Sequence, residues 1–263
     1  MNRYVAWLSQ ALFIVSMFSG IILVFAYYPD KAYESVQKLN YIIPFGLFIR
    51  KIHYFSSEAF LVILLLHVIL EVSKNKIKVS FSSWNYSLFG LFIIFILMFS
   101  GYILKADQSG HAAADIAFTL IKETPFFSKF VILFQDYNQF YWKFFIWHIV
   151  FLPILLTYAI YKHVNTISVN FKYLIVSLAL TLLLVDIINL PKDITLGIKV
   201  DKLDGPWFFL GAENLLQIGW SVVSVDLIIL LPFILLCLLY KYNKIFIKAL
   251  LFIWVVFYAY FSI

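Results

Sequence analysis

Residues 49–72 read IRKIHYFSSEAFLVILLLHVILEV, and residues 141–163 read YWKFFIWHIVFLPILLTYAIYKH. Each stretch is about as long and apolar as a bilayer-spanning helix, and each carries two histidines. His53 and His67 are 14 residues apart, His148 and His163 are 15. At 3.6 residues per turn these spacings are about 3.9 and 4.2 turns, so each pair falls on one helix face, with a rise of roughly 21–22 Å between its members.

The rest of the chain fits the same setting. Hydrophobic residues make up 63% of its 263 residues and charged residues 13%, against about 45–50% and 25% in soluble domains. Seven apolar segments stand out: Tyr4–Tyr28, Ile52–Val72, Tyr86–Leu104, Tyr141–Lys162, Lys172–Leu190, Ile218–Tyr240 and Ile245–Ser262. This predicts an all-α integral membrane protein of about seven transmembrane helices, with no nucleic-acid partner. The first segment reads as a retained span rather than a cleaved signal, because apolar sequence continues past Ser19-Gly20. Two long connections, Lys105–Phe140 and Pro191–Gln217, are amphipathic, and Ala112–Ile121 suits a short helix at the interface. The single cysteine, Cys237, excludes a disulfide framework or a cysteine-ligated cluster within the chain.

Charge sets the orientation. The N-terminus and the connections after the second, fourth and sixth spans hold Arg3, Lys74, Lys76, Lys78, Lys162, Lys172 and further lysines, opposed there by Glu71 alone. Basic loops stay cytoplasmic, so the N-terminus is expected inside. The second and fourth spans then both run inward. His53 and His148 share an outer level, His67 and His163 an inner one.

A histidine inside a bilayer is costly unless partnered, and two imidazoles at one depth can fill the two axial positions of a haem iron. Two such levels predict two b-type haems. Arg50 and Lys143, three and five residues before His53 and His148, are placed to meet the propionates of the outer one. Zinc fits less well, because no carboxylate or thiolate lies at ligand spacing with either pair.

With these residues in view, the chain resembles the cytochrome b subunit of quinol–cytochrome c oxidoreductases (the bc and bf complexes). The resemblance rests on Ser19-Gly20, Ile49-Arg50-Lys51-Ile52-His53 with His67, and Trp84-Asn85. It continues through Phe99-Ser100-Gly101-Tyr102-Ile103-Leu104, Thr124-Pro125, and Phe144-Phe145-Ile146-Trp147-His148 with Pro153 and His163. The 15-residue spacing looks like the photosynthetic-type branch, whose separate small subunit the last three spans resemble.

The resemblance implies a four-helix dihaem bundle over residues 1–168 and a three-helix part over 169–263 that completes the quinone sites. It implies quinol oxidation at the outer face, a low-potential haem on His53 and His148, a high-potential haem on His67 and His163, and quinone reduction at the inner face with proton translocation. It also implies glycines at the haems (Gly20, Gly101), a Rieske iron–sulfur protein and a c-type cytochrome as partners, a quinone pool and a homodimer. A bacterial cytoplasmic membrane is the expected location, a mitochondrial inner membrane the alternative. Two other functions stay open from the residues alone: a dihaem anchor serving a different periplasmic partner, and a non-redox transporter subunit.

The chain departs from that family at named places. Its Pro-Glu-Trp-Tyr reads Gly205-Pro206-Trp207-Phe208, so the glutamate that accepts a quinol proton is absent. The Pro-Trp-Gly-Gln after the third span reads Lys105-Ala106-Asp107-Gln108, and two further glycines are Ala6 and Ser87. Asp107, Asp115 and Glu213 are therefore candidate proton acceptors, since quinol oxidation needs a base within hydrogen-bond reach. Tyr102 and Trp207 are expected to line the quinone pocket. Glu58 and Asp226 are carboxylates inside spans. Glu58 lies about 140° around the helix from His53, and is either a proton-path residue or a partner to another helix. His111 is expected as an exposed interfacial histidine, Pro153 and Pro232 as kinks.

Overall fold

The computed structural model describes residues 2–124, 129, 139–165, 170–198, 205–242 and 244–262. Among the described residues ten helices longer than a single turn follow in chain order: α1 (Asn2–Val24), α2 (Ala32–Tyr41), α3 (Gly46–Val72), α4 (Phe81–Leu104), α5 (Gln108–Glu123), α6 (Phe140–Val164), α7 (Phe171–Ile187), α8 (Leu210–Gln217), α9 (Val222–Tyr242) and α10 (Ile245–Phe261). Five of them, α1, α3, α4, α6 and α9, have the length and apolarity to cross a membrane. The other two expected spans, α7 and α10, are 17 residues each, at the short end of what a bilayer core needs. Their flanks carry large apolar side chains to the surface, among them Ile175, Leu183, Phe252 and Val256, as a face turned to lipid requires.

Local chemistry sets the ends. Ser80 caps α4, its hydroxyl accepting the Ser83 N–H at 3.2 Å, which starts that helix five residues before the expected Tyr86. Gly219, at φ +95°, separates α8 from α9, so the sixth span begins at Val222 rather than at Ile218. Helix α5 exceeds the expected Ala112–Ile121 at both ends. Helix α2, short and largely polar, lies in a connection where no helix was expected.

Within α6 the residues Trp147–Phe151 form a single π turn, with the Leu152 N–H bonded to the Trp147 carbonyl five residues back. The cause is close by. Pro153 has no N–H to give, and its ring would crowd the carbonyl four residues earlier. The wider turn relieves that crowding.

Helix α3 packs on α1 and α6 on α4, and α7 lies against α1 and α3. Helix α9 packs on α4 and α5, and α10 on α8 and α9. Leu12, Phe13, Phe60, Leu61, Ile93, Ile94, Leu152 and Leu156 form one buried cluster at the centre of the four-helix bundle. Each of these residues lies in sequence between the outer and inner positions of its helix.

Candidate haem site and outer pocket

The outer level is built the same way twice. His53 Nδ1–H donates to the Ser16 carbonyl at 2.9 Å. Four residues along α1, a Cβ on Gly20 would stand 2.9 Å from the His53 Cε1. Across the bundle, His148 Nδ1 meets the Ser100 hydroxyl at 2.9 Å and also the Leu97 carbonyl. Four residues after Leu97, a Cβ on Gly101 would stand 2.9 Å from the His148 Cε1. In both helices, then, one backbone carbonyl holds the imidazole and a glycine four residues on makes room for it.

These bonds settle the tautomers. A carbonyl only accepts, so His53 carries its proton on Nδ1. The Ser100 hydroxyl donates to the Leu97 carbonyl at 2.9 Å, so it accepts from His148 Nδ1 as well. At the inner level His163 Nδ1 donates to the Ser83 carbonyl at 3.1 Å, and the Ser83 hydroxyl lies 3.0 Å from the same nitrogen. Each of these three rings therefore keeps Nε2 for a metal, the arrangement usual for ligating histidines. Ser87, where the family has glycine, lies four residues after Ser83, which repeats the outer pattern with a small polar residue.

The His53 and His148 rings face one another with centroids 6.2 Å apart and planes 79° to each other. Two imidazoles bound to one metal from opposite sides, each nitrogen about 2 Å from it, put their ring centres roughly 6 Å apart. The pair thus fits the axial positions of one haem iron. Contacts also fix the helix directions. Ser100 meets His148 and Ser83 meets His163, so α4 and α6 are antiparallel, while the His53–His148 contact, followed along both helices by the shared cluster of Phe60, Leu61, Leu152 and Leu156, makes α3 and α6 run together. The π turn inserts one residue into α6 between His148 and His163, so its 15-residue spacing behaves as the 14 of α3. His67 and His163, both half-buried, then share the inner level.

Other predicted residues take more varied positions. Arg50 makes a two-pronged ion pair with Asp193, both contacts at 2.7 Å, and donates to Asn40 at 2.7 Å. Lys143 is half-buried at the outer end of α6. Asp107 is wholly buried: it caps α5 through Gly110 N–H at 2.8 Å, accepts the Ile194 N–H at 2.8 Å and pairs with Lys105 at 3.1 Å. Asp115 is exposed. Glu213 is buried, and accepts the Gly205 N–H at 2.9 Å. A Cβ at residue 205 would lie 1.8 Å from its carboxylate, so Gly205 is what lets Glu213 reach the loop. Tyr102 is half-buried, with the Lys105 ammonium 4.3 Å above its ring.

Trp207 donates through Nε1 to Glu58 at 2.7 Å, which joins the Gly205–Phe208 loop to α3. The Thr124 hydroxyl bonds Asp226; Pro125, beside it in the sequence, lies outside the described residues. His111 is half-buried rather than exposed, with the Tyr141 hydroxyl 3.0 Å from its ring.

Asp193, which no motif had marked, is the hub of the surface at the His53–His148 end of the bundle. Burial alone would push its carboxyl up, but Arg50, Asn40 and Lys105 together hold it below the usual carboxylate range.

Paired histidines, paired glycines and helix order coincide with a sequence match. The profile described as cytochrome b/b6/petB matches residues 4–170. This chain belongs to the cytochrome b family. It is 31% identical over 107 residues to cytochrome b6 of Heliomicrobium gestii, covering 40% of this chain and 50% of that one. It is 26% identical over 115 residues to the menaquinol:cytochrome c reductase cytochrome b subunit of Bacillus subtilis (strain 168), covering 43% and 51%. This cytochrome b therefore spans about half the length of those curated relatives. Its fold matches a chain of a hyperthermophilic respiratory complex III with a TM-score of 0.71 at 18% identity, over 92% of this chain and 75% of that one.

Recesses flank the bundle among the described residues. One of about 370 Å³, lined by Arg3, Tyr4, Trp7, Asn170 and Tyr173, lies at the N-terminal ends of α1 and α7. A larger one of about 790 Å³ lies between the α2–α3 turn and α7 and includes Lys51 and Asp186. It contains none of the expected site residues.

Proposed function

We propose that this cytochrome b is the dihaem subunit of a respiratory quinol-oxidising complex. In this reading it moves electrons from quinol at the outer face to a quinone at the inner face, with protons released outside and taken up inside. The observation that carries the reading is the His53–His148 pair, its rings 6.2 Å apart. His53 and His148 would hold the outer, low-potential b haem, and His67 and His163 the inner, high-potential one. Bound there, the two haems supply one-electron carriage across the bilayer.

The protein's own part is positioning. The Ser16, Leu97 and Ser83 carbonyls orient imidazoles, Gly20 and Gly101 admit them, and the buried central cluster keeps water from between the two levels. Tyr102, Trp207 and Glu213 line the outer quinol pocket, and Asp107 fixes the wall beside it. At the inner face the recess around Arg3, Trp7 and Tyr173 has the size and aromatic lining of a small-molecule site, and suits a quinone ring. The partners in this reading are a Rieske iron–sulfur protein and a c-type cytochrome, in a complex that contains two copies of this chain. The setting is a bacterial cytoplasmic membrane with the N-terminus inside.

The test is a redox-titrated visible spectrum of the purified protein with haem counted per chain, followed by addition of a short-chain naphthoquinol. Two b haems of separated potential, reducible by the quinol, are expected. A protein that binds haem but takes no electron from quinol would sink the quinol reading, and one without haem would sink both.

A further inference from the structure

We propose that Glu58 is the residue that accepts a proton from quinol at the outer site, in place of the glutamate that the Gly205-Pro206-Trp207-Phe208 loop lacks. The inference rests on the proposed quinol-oxidising function. It starts from the joining of two elements far apart in sequence: the Trp207 indole N–H donates to the Glu58 carboxylate at 2.7 Å. That bond puts a carboxylate beside the tryptophan of the same loop whose own acidic position is Pro206.

The other carboxylates near the loop are committed elsewhere. Asp107 is wholly buried and is taken up by Lys105, two backbone N–H groups and Ser109. Glu213 is 4% exposed, its carboxylate turned onto the Gly205 N–H. Asp115 lies exposed on α5. Glu58 differs in access: it is half-buried, and Trp207 is 45% exposed, so the pair is open to a quinol that arrives from the bilayer. A carboxylate at this depth is costly to keep, and acid–base work supplies a reason to keep it.

An exit for the proton lies on the same helix face. Arg50, Tyr54 and Glu58 follow one another at intervals of four residues, so they stack one turn apart towards the outer surface. Tyr54 stands between Glu58 and Arg50 in that row, and Arg50 ends it in its ion pair with Asp193. Among the described residues these are the ionisable groups that face Glu58 from α3, and Trp207 is the polar group that faces it from the loop.

The step balances as follows. Oxidation of one quinol releases two electrons and two protons. One electron and one proton pass to the partner one-electron acceptor, and the other electron passes to a b haem. As that happens the remaining quinol O–H bond breaks, a Glu58 Oε–H bond forms, and the proton then leaves outward past Tyr54.

The experiment compares wild type, Glu58→Gln and Glu213→Gln as haem-loaded, full-length proteins in membranes that hold their complex with its one-electron acceptor, reduced by a short-chain naphthoquinol across a range of pH. Glu58→Gln is expected to keep its haem count and dithionite-reduced spectrum. Its rate of haem reduction should fall at least tenfold and lose the acid limb of the wild-type pH profile, while Glu213→Gln keeps that limb. A Glu58→Gln protein with wild-type rate and profile, or loss of the limb in Glu213→Gln alone, overturns the assignment. Wild type whose haems take no electron from the quinol fails the underlying function instead.

Should Glu58→Gln not accumulate with haem, infrared difference spectra decide. Oxidation of the naphthoquinol by wild type should raise a protonated-carboxyl band that Glu58→Asp shifts. A missing band, or one unmoved by Glu58→Asp, overturns the proposal.

Discussion

Gly101 and His148 are in near contact: any Cβ at residue 101 would stand 2.9 Å from the imidazole Cε1, and Gly20 stands to His53 in the same relation. Overpacking of this kind typically costs about 1–3 kcal/mol. Here the neighbour is also the candidate ligand, held by a carbonyl on its other side. Gly101→Val and Gly20→Val should each lower the haem count from two to one with the outer, low-potential component missing from the redox titration. Ser87→Gly should keep both haems.

Single replacements of the histidines should separate the two levels. His53→Ala or His148→Ala should abolish the low-potential component, and His67→Ala or His163→Ala the high-potential one. Haem per chain, measured by pyridine haemochrome, should fall to about one in every case. A variant that keeps two haems would remove that histidine from the ligand set.

The π turn makes a sharper prediction. Removing one residue from Trp147–Phe151, for example Val150, should return the turn to α geometry and leave His148 and His163 on one face. The same deletion at Leu155, inside regular helix, would turn everything before or after it by about 100°. Deletion of Val150 is thus expected to keep two haems, and deletion of Leu155 to lose the inner one.

Asp193 links stability to pH. Its carboxyl is held below the usual range by Arg50, Asn40 and Lys105 acting against burial. That contribution is fully present above the unfolded-state value of about 3.9, and is lost as pH falls through the lower folded-state value. The thermal midpoint in detergent should therefore drop as pH falls below about 4, and Asp193→Asn should flatten that drop. At neutral pH the same variant should cost about 2 kcal/mol or more, since it leaves Arg50 without its counter-charge.

Much of this architecture was legible in the sequence. Apolar runs are their own signal, and four histidines at two near-equal spacings cannot easily arise as scattered core residues. The parts that were not legible share a physical cause. Ser16, Ser83 and Ser100 act through the backbone or through a rotatable hydroxyl, so nothing in their residue type marks them among the other helical serines. Asp193 is one of several acids in its connection, with nothing in the sequence to single it out, and its partner Arg50 is 143 positions away. A spacing of 15 reads as 4.2 turns and passes unremarked, although Pro153 is a hint that the helix before it is irregular. Glu58 was visible as an oddity, but its partner Trp207 is brought to it only by the path of the chain between α7 and α8.

That path has one more effect. Asp193, Ile194 and Thr195 are tied to Arg50 and Asn40, to Asp107 and Gln108, and to Tyr33, which are anchors on α2, α3, α5 and the turn before it. The two halves of the polypeptide are thus buckled together at the surface beside the His53–His148 level, independently of the peptide bonds that connect α6 to α7. A break between residues 166 and 169 would leave that buckle closed.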